Sequence, residues 1–83
     1  MSTEASETLD VKGQNCPMPV IKTKGAFEDL PAGETLEVVS TDSGSMSDIG
    51  GWAESTDGAE LIAQEEATEG GEDVYKHYVR KAE

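Results

Sequence analysis

The chain has 83 residues, a single cysteine and a single histidine, and its 18 acidic against six basic side chains leave a formal net charge of −12. A chain of this length builds one small core but no substrate pocket enclosed on all sides, and its charge repels phosphate backbones and anionic lipid, which argues against direct binding to nucleic acid or membrane. One cysteine forms no intramolecular disulfide, and with one histidine there is no Cys/His cluster for a metal, so neither a metal nor another cofactor is expected.

Residues 1–6 are polar and read as a disordered leader, leaving residues 7–83 as one domain. Nothing near Met1 has the basic and apolar regions of a signal peptide, and no apolar run reaches the ~18 residues of a membrane span, so the expected location is the cytoplasm. Thr8-Leu9-Asp10-Val11 alternates like a short strand, which Gly13-Gln14-Asn15 ends. Pro17 suits the first position of a helix and Pro19 still falls in its first turn, which puts Cys16 at the N-cap. Val20, Ile21, Phe27 and Leu30 then recur near helical spacing as the expected apolar face, with Gly25 costing about 1 kcal/mol unless close packing needs it. Pro31-Ala32-Gly33 closes the helix.

Glu34 to Thr41 reads as a second strand around Leu36, Val38 and Val39. After the loop Asp42-Ser43-Gly44-Ser45, Ser45 or Ser47 is the expected cap of a second helix, with Met46, Ile49, Trp52 and Ala53 on its core side and Gly50-Gly51 weakening its middle. Glu60 to Thr68 and Asp73 to Lys81 flank Glu69-Gly70-Gly71-Glu72 as a hairpin. The order β-α-β-α-β-β predicts an α/β two-layer sandwich with two helices packed on one face of a four-stranded mixed sheet.

Cys16 is the residue with chemistry. A helix start favours an anionic sulfur through unpaired N–H groups and the helix dipole, each such interaction being worth about 0.3–1 kcal/mol when exposed. No acid occurs between Asp10 and Glu28, while Lys12, Lys22 and Lys24 all do. This basic stretch favours thiolate or persulfide anion and attracts an acidic partner. Flanked by Asn15 and two prolines, Cys16 is poorly placed for the core and well placed for exposure. Asp42 and Asp48 read as loop and cap residues, and His77 is too isolated to act as a general base.

From Leu9-Asp10 and Gly13 through Cys16-Pro17-Met18-Pro19-Val20 and Lys22, then Pro31-Ala32-Gly33-Glu34, Asp42, Asp48-Ile49 and Trp52 to Gly58, Glu60 and Leu61, the chain resembles the TusA/SirA-type sulfur carriers. Departures are Ser43 where the family usually has Pro after the Asp, Gly50 where a Pro commonly follows Ile, and Gly25 in place of a better helix former. The resemblance implies a two-layer sandwich whose motif cysteine, Cys16, takes sulfane sulfur from a cysteine desulfurase or other sulfurtransferase. It then passes that sulfur to an acceptor protein, in routes to tRNA thiolation or sulfur-cofactor synthesis. Pro17 and Pro19 would support the site by fixing the chain's approach. Such a protein relays a persulfide rather than turning over substrate on its own, and has no need to dimerise. The alternatives are a thiol-redox regulator, for which the common dithiol mechanism would want a second cysteine, and a non-catalytic interaction module. The carboxylate excess, which keeps a surface hydrated in concentrated salt, points to a halophilic source.

Overall fold

The computed structural model describes residues 5–14 and 18–82. Its elements are β1 (Glu7–Asp10), α1 (Met18–Asp29), β2 (Thr35–Ser40), α2 (Ser45–Ser55), β3 (Ala59–Glu69) and β4 (Glu72–Lys81), which is the expected order. They form a four-stranded sheet in the order β1-β2-β4-β3. β1 runs parallel to β2, and β4 lies antiparallel to both β2 and β3. The sheet is therefore mixed, and the last strand in sequence is inserted between β2 and β3.

Alternation along the strands creates the buried face. Leu36, Val79 and Leu61 stand in one row across β2, β4 and β3. Leu36 and Val79 form the core with Val38, Val11, Phe27, Leu30 and Ile49, against which Leu61, Leu9, Val20 and Trp52 pack. Burying each such side chain contributes about 1.5–3 kcal/mol, and this sheet-to-helix seam is the principal attraction holding the two layers together. Phe27 and Trp52 meet edge to face, with centroids 5.3 Å apart, and so join α1 to α2.

The β3–β4 hairpin turns through Gly70 and Gly71, with φ of 59° and 82°. Two successive positive φ values are the requirement of the tight two-residue turn whose twist matches its strands, and glycine meets it without steric cost. A register shift between Leu61 and Ala63 then leaves Ile62 exposed beside the row of core residues.

Two expectations are corrected here. Ile21 does not belong to the apolar face of α1: it is 55% exposed, while Pro19, Thr23 and Phe27 are buried. Two residues along a helix are about 200° of rotation, so Ile21, midway between Pro19 and Thr23, points away from the core. Thr23 can take an inward position because its Oγ1 donates to the Pro19 carbonyl at 2.6 Å, which satisfies the buried hydroxyl. The second correction concerns the start of α2. Its N-cap is Gly44 and makes no side-chain capping bond, while Ser45 is the first helical residue and turns its hydroxyl inward.

The far end of α1 is closed from another element. No basic residue lies in its last turn, but Lys81 at the end of β4 places Nζ 3.2 Å from both the Phe27 and Glu28 carbonyls. A cation at the negative end of a helix is favourable, and the same ammonium stands 5.3 Å from the Phe27 ring centroid.

Candidate functional site

Because β1 and β2 are parallel and each runs into a helix, α1 and α2 both begin at the C-terminal edge of these strands. Open α/β sheets place their sites at that edge. Gln14 and Met18 are described; Asn15, Cys16 and Pro17, between them in sequence, lie outside the described residues, as does the expected Cys16 N-cap. Pro19 is described: it is buried in the first turn of α1, where a missing N–H leaves no helical bond unmade.

The chain approaches this segment through a fixed turn. The Gln14 N–H donates to the Val11 carbonyl at 3.2 Å, and Gly13 between them has φ of 81°. A Cβ on Gly13 would meet nothing within 4 Å, so glycine is required by backbone conformation rather than by space. The Lys12 N–H donates to Asp10 Oδ1 at 2.9 Å and the Gly13 N–H to Thr41 Oγ1 at 2.8 Å. On the neighbouring loop, the Asp42 N–H donates to Ser40 Oγ and the Gly44 N–H to Asp42 Oδ1. Asp42 thus organises its loop, and Asp48 lies in the first turn of α2, which is where carboxylates are favourable.

The three lysines separate in the structure. Lys12 is drawn toward the hairpin, with Nζ 3.8 Å from Asp10 and 3.7 Å from Glu69, and Lys76 shares Glu69 at 3.2 Å. Lys22 and Lys24 are exposed on α1 and form no ion pair among the described residues. On the same solvent side stand Met18, 41% exposed, and Ile21. Positions 18, 21, 22 and 25 are helical neighbours, so two apolar side chains and Lys22 form one stripe leading away from the helix start, with Lys24 at its flank. Of the three large apolar residues exposed among the described residues, two, Met18 and Ile21, are in this stripe.

Behind this edge lies a buried polar network that sequence reasoning missed. His77 on β4 is 0% exposed. Gln64 Nε2 donates to the Met46 carbonyl at 2.8 Å, which fixes the amide's orientation, and the same nitrogen is 3.0 Å from His77 Nδ1. Nδ1 must then accept, so Nε2 carries the proton and donates to Ser45 Oγ at 3.0 Å. Burial lowers the His77 pKa from 6.5 to about 4, in agreement with a neutral ring. The network pins the first turn of α2 to β3 and β4. A Cβ on Gly50 would stand in ordinary contact with the Gln64 amide, at 3.6 Å, so space at this position does not require glycine. Met46, expected in the core, is half-buried and contributes its carbonyl instead.

The opposite sheet face carries a more exposed polar cluster. There Tyr78 Oη and Thr8 Oγ1 both donate to the Glu37 carboxylate, and burial, with the bond to Glu37, pushes the tyrosine up to about 12. No helix is long and apolar enough to cross a membrane, and no group of His, Asp or Glu that could hold a metal occurs, in both cases among the described residues.

Comparison with known proteins gives one consistent answer. The family described as "Sulfurtransferase TusA" matches residues 7–81. A candidate sulfur carrier protein of the halophilic archaeon Halobacterium salinarum is 67% identical over 78 residues, covering 94% of this chain and 91% of its own length. The sulfur carrier protein TusA of Allochromatium vinosum is 38% identical over 65 residues, covering 78% of this chain and 82% of its own. Among solved structures, a SirA-like protein from Desulfitobacterium hafniense matches with a TM-score of 0.67 and 28% identity, covering 88% of this chain and 95% of that one.

Proposed function

The chain belongs to the TusA sulfurtransferase family and is a sulfur carrier; we propose that it holds the sulfur as a persulfide on Cys16. The observation that carries this reading is that the chain's only cysteine comes in sequence between β1 and α1, two positions before Met18, the first residue of α1.

In the proposed cycle the Cys16 thiolate attacks the terminal sulfur of a persulfide on a cysteine desulfurase or other sulfurtransferase. A new sulfur–sulfur bond forms at Cys16, the donor's sulfur–sulfur bond breaks, and the donor cysteine leaves as thiolate. An acceptor protein's thiolate then attacks the terminal sulfur and Cys16 leaves in turn. Each step exchanges one sulfur–sulfur bond for another, so no external oxidant or reductant is required. Pro17 and Pro19 restrict the chain around the sulfur. The stripe of Met18, Ile21 and Lys22, with Lys24 beside it, docks an acidic partner surface, since these lysines present positive charge on a chain of net charge −12. Lys12 contributes less, being shared with Asp10 and Glu69.

The protein acts as a relay in the cytoplasm, as a monomer forming one domain over residues 7–83, and its sulfur serves tRNA thiolation or sulfur-cofactor synthesis through the acceptor. A dithiol redox role would need a second cysteine, and the sequence has none. Intact mass spectrometry after incubation with a cysteine desulfurase and cysteine tests the reading. A gain of about 32 Da, reversed by reductant, is expected; an unchanged mass with several donors would defeat it.

A further inference from the structure

We propose that Thr41 is a positioning residue for sulfur transfer, its hydroxyl holding the turn from which the chain runs to Cys16; this rests on the carrier reading above. The β1–β2 ladder ends at Asp10 and Val39, followed by the bond from the Val11 N–H to the Val39 carbonyl. Of the next three N–H groups, those of Lys12 and Gln14 bond locally, to Asp10 and Val11. Only that of Gly13 reaches another strand's end, at Thr41 Oγ1, 2.8 Å away and 28 positions along the chain. Among the described residues it is the only hydrogen bond from residues 12–14 to β2 or to the loop between β2 and α2.

Thr41 is suited to hold something in place. It comes directly after β2, a strand paired on both sides, and the loop beyond it is fixed by the bonds of Asp42 and Gly44 described above. Its β-branched side chain has few rotamers, so the hydroxyl keeps its aim. Cys16 is three positions after Gly13, a reach of at most about 11 Å, which leaves little chain in which to absorb a displaced turn. An error of about 1 Å in the position of a reacting group can cost as much as 100-fold in rate. The bond itself is exposed, so water can satisfy the Gly13 N–H when the hydroxyl is removed, and the fold should survive its loss.

The experiment compares wild type with Thr41→Val, which keeps the shape and removes the acceptor, and Thr41→Ser, which restores it. Single-turnover sulfur transfer from a persulfidated cysteine desulfurase is followed over a range of donor concentrations, and iodoacetamide alkylation of the free thiol over pH 6–9. Thr41→Val should lower the limiting rate about ten-fold with the half-saturating donor concentration unchanged, and Thr41→Ser should return it to within about two-fold of wild type. Transfer by Thr41→Val at the wild-type rate, or an equal loss in Thr41→Ser, overturns the proposal. If wild type accepts no sulfur at all, the carrier reading fails separately. The alkylation profile then decides: a change in Thr41→Val that Thr41→Ser reverses upholds the positioning role, and identical profiles overturn it.

Discussion

The two helices start at the same edge of the sheet and are put to opposite uses. α1 faces solvent with Met18, Ile21, Lys22 and Lys24, and makes its inward contacts through Pro19, Thr23 and Phe27. α2 carries an acid in its first turn and is fastened from within by Ser45, the Met46 carbonyl, Gln64 and His77. The difference teaches how two helices that start at one edge of a small sheet can be fixed in different ways, one by apolar packing and the other by inward polar bonds as well. One helix leaves apolar and basic side chains in solvent, and the other is locked to the sheet through hydrogen bonds to Gln64 and His77.

Breaking the proposed partner surface should produce the largest change. Ile21→Asp, or Lys22→Glu with Lys24→Glu, should weaken binding of the sulfur donor roughly thirty-fold, as loss of a central contact residue commonly costs about 2 kcal/mol or more. Neither change should move the melting temperature much, because these side chains are exposed. Calorimetric titration of the donor that gave wild-type affinity for both variants would remove the docking role from α1.

The locked helix should respond to pH instead. With the folded His77 pKa near 4 and the unfolded value at 6.5, the unfolded chain binds the proton first as pH falls. Its contribution is therefore complete above about pH 6.5 and is lost toward pH 4, amounting to at most about 3 kcal/mol. As the only histidine, His77 gives an unambiguous imidazole signal in an NMR titration. A midpoint near 4 is expected, and one above 6 would show that the ring is not held as described.

A smaller effect sharpens the contrast from the other side. Gly25 is exposed on α1 and a Cβ there would meet nothing within 4 Å, so no packing requirement opposes a side chain. Gly25→Ala should stabilise the fold by about 1 kcal/mol in urea denaturation, with sulfur loading unchanged. A loss of stability would mean that the helix needs its glycine for another reason.

Much of the molecule is legible in its sequence. The element order comes from alternation around Leu9, Leu36 and Val38, and from glycines at the turns, because both are local properties of the backbone. Cys16 announces itself by composition, a lone thiol before a proline-marked helix start. The features that escape depend on distant partners. Ser45 looks like a cap because a serine before an apolar stripe is one, but its hydroxyl meets His77, 32 positions away. Ile21 looks like core because apolar character alone does not reveal that a proline and a threonine occupy the buried stripe. Thr41 carries no signal either: its bond to Gly13 exists only once β1 and β2 are paired.

The central claim, that a transferable sulfur resides on Cys16, is tested most directly by cyanolysis of protein loaded by a cysteine desulfurase and then separated from it. Cyanide takes the terminal sulfur of a persulfide as thiocyanate and leaves the thiol. Wild type should release about one thiocyanate per chain, and a folded Cys16→Ser variant none. Equal release from both would place the sulfur elsewhere and contradict the account.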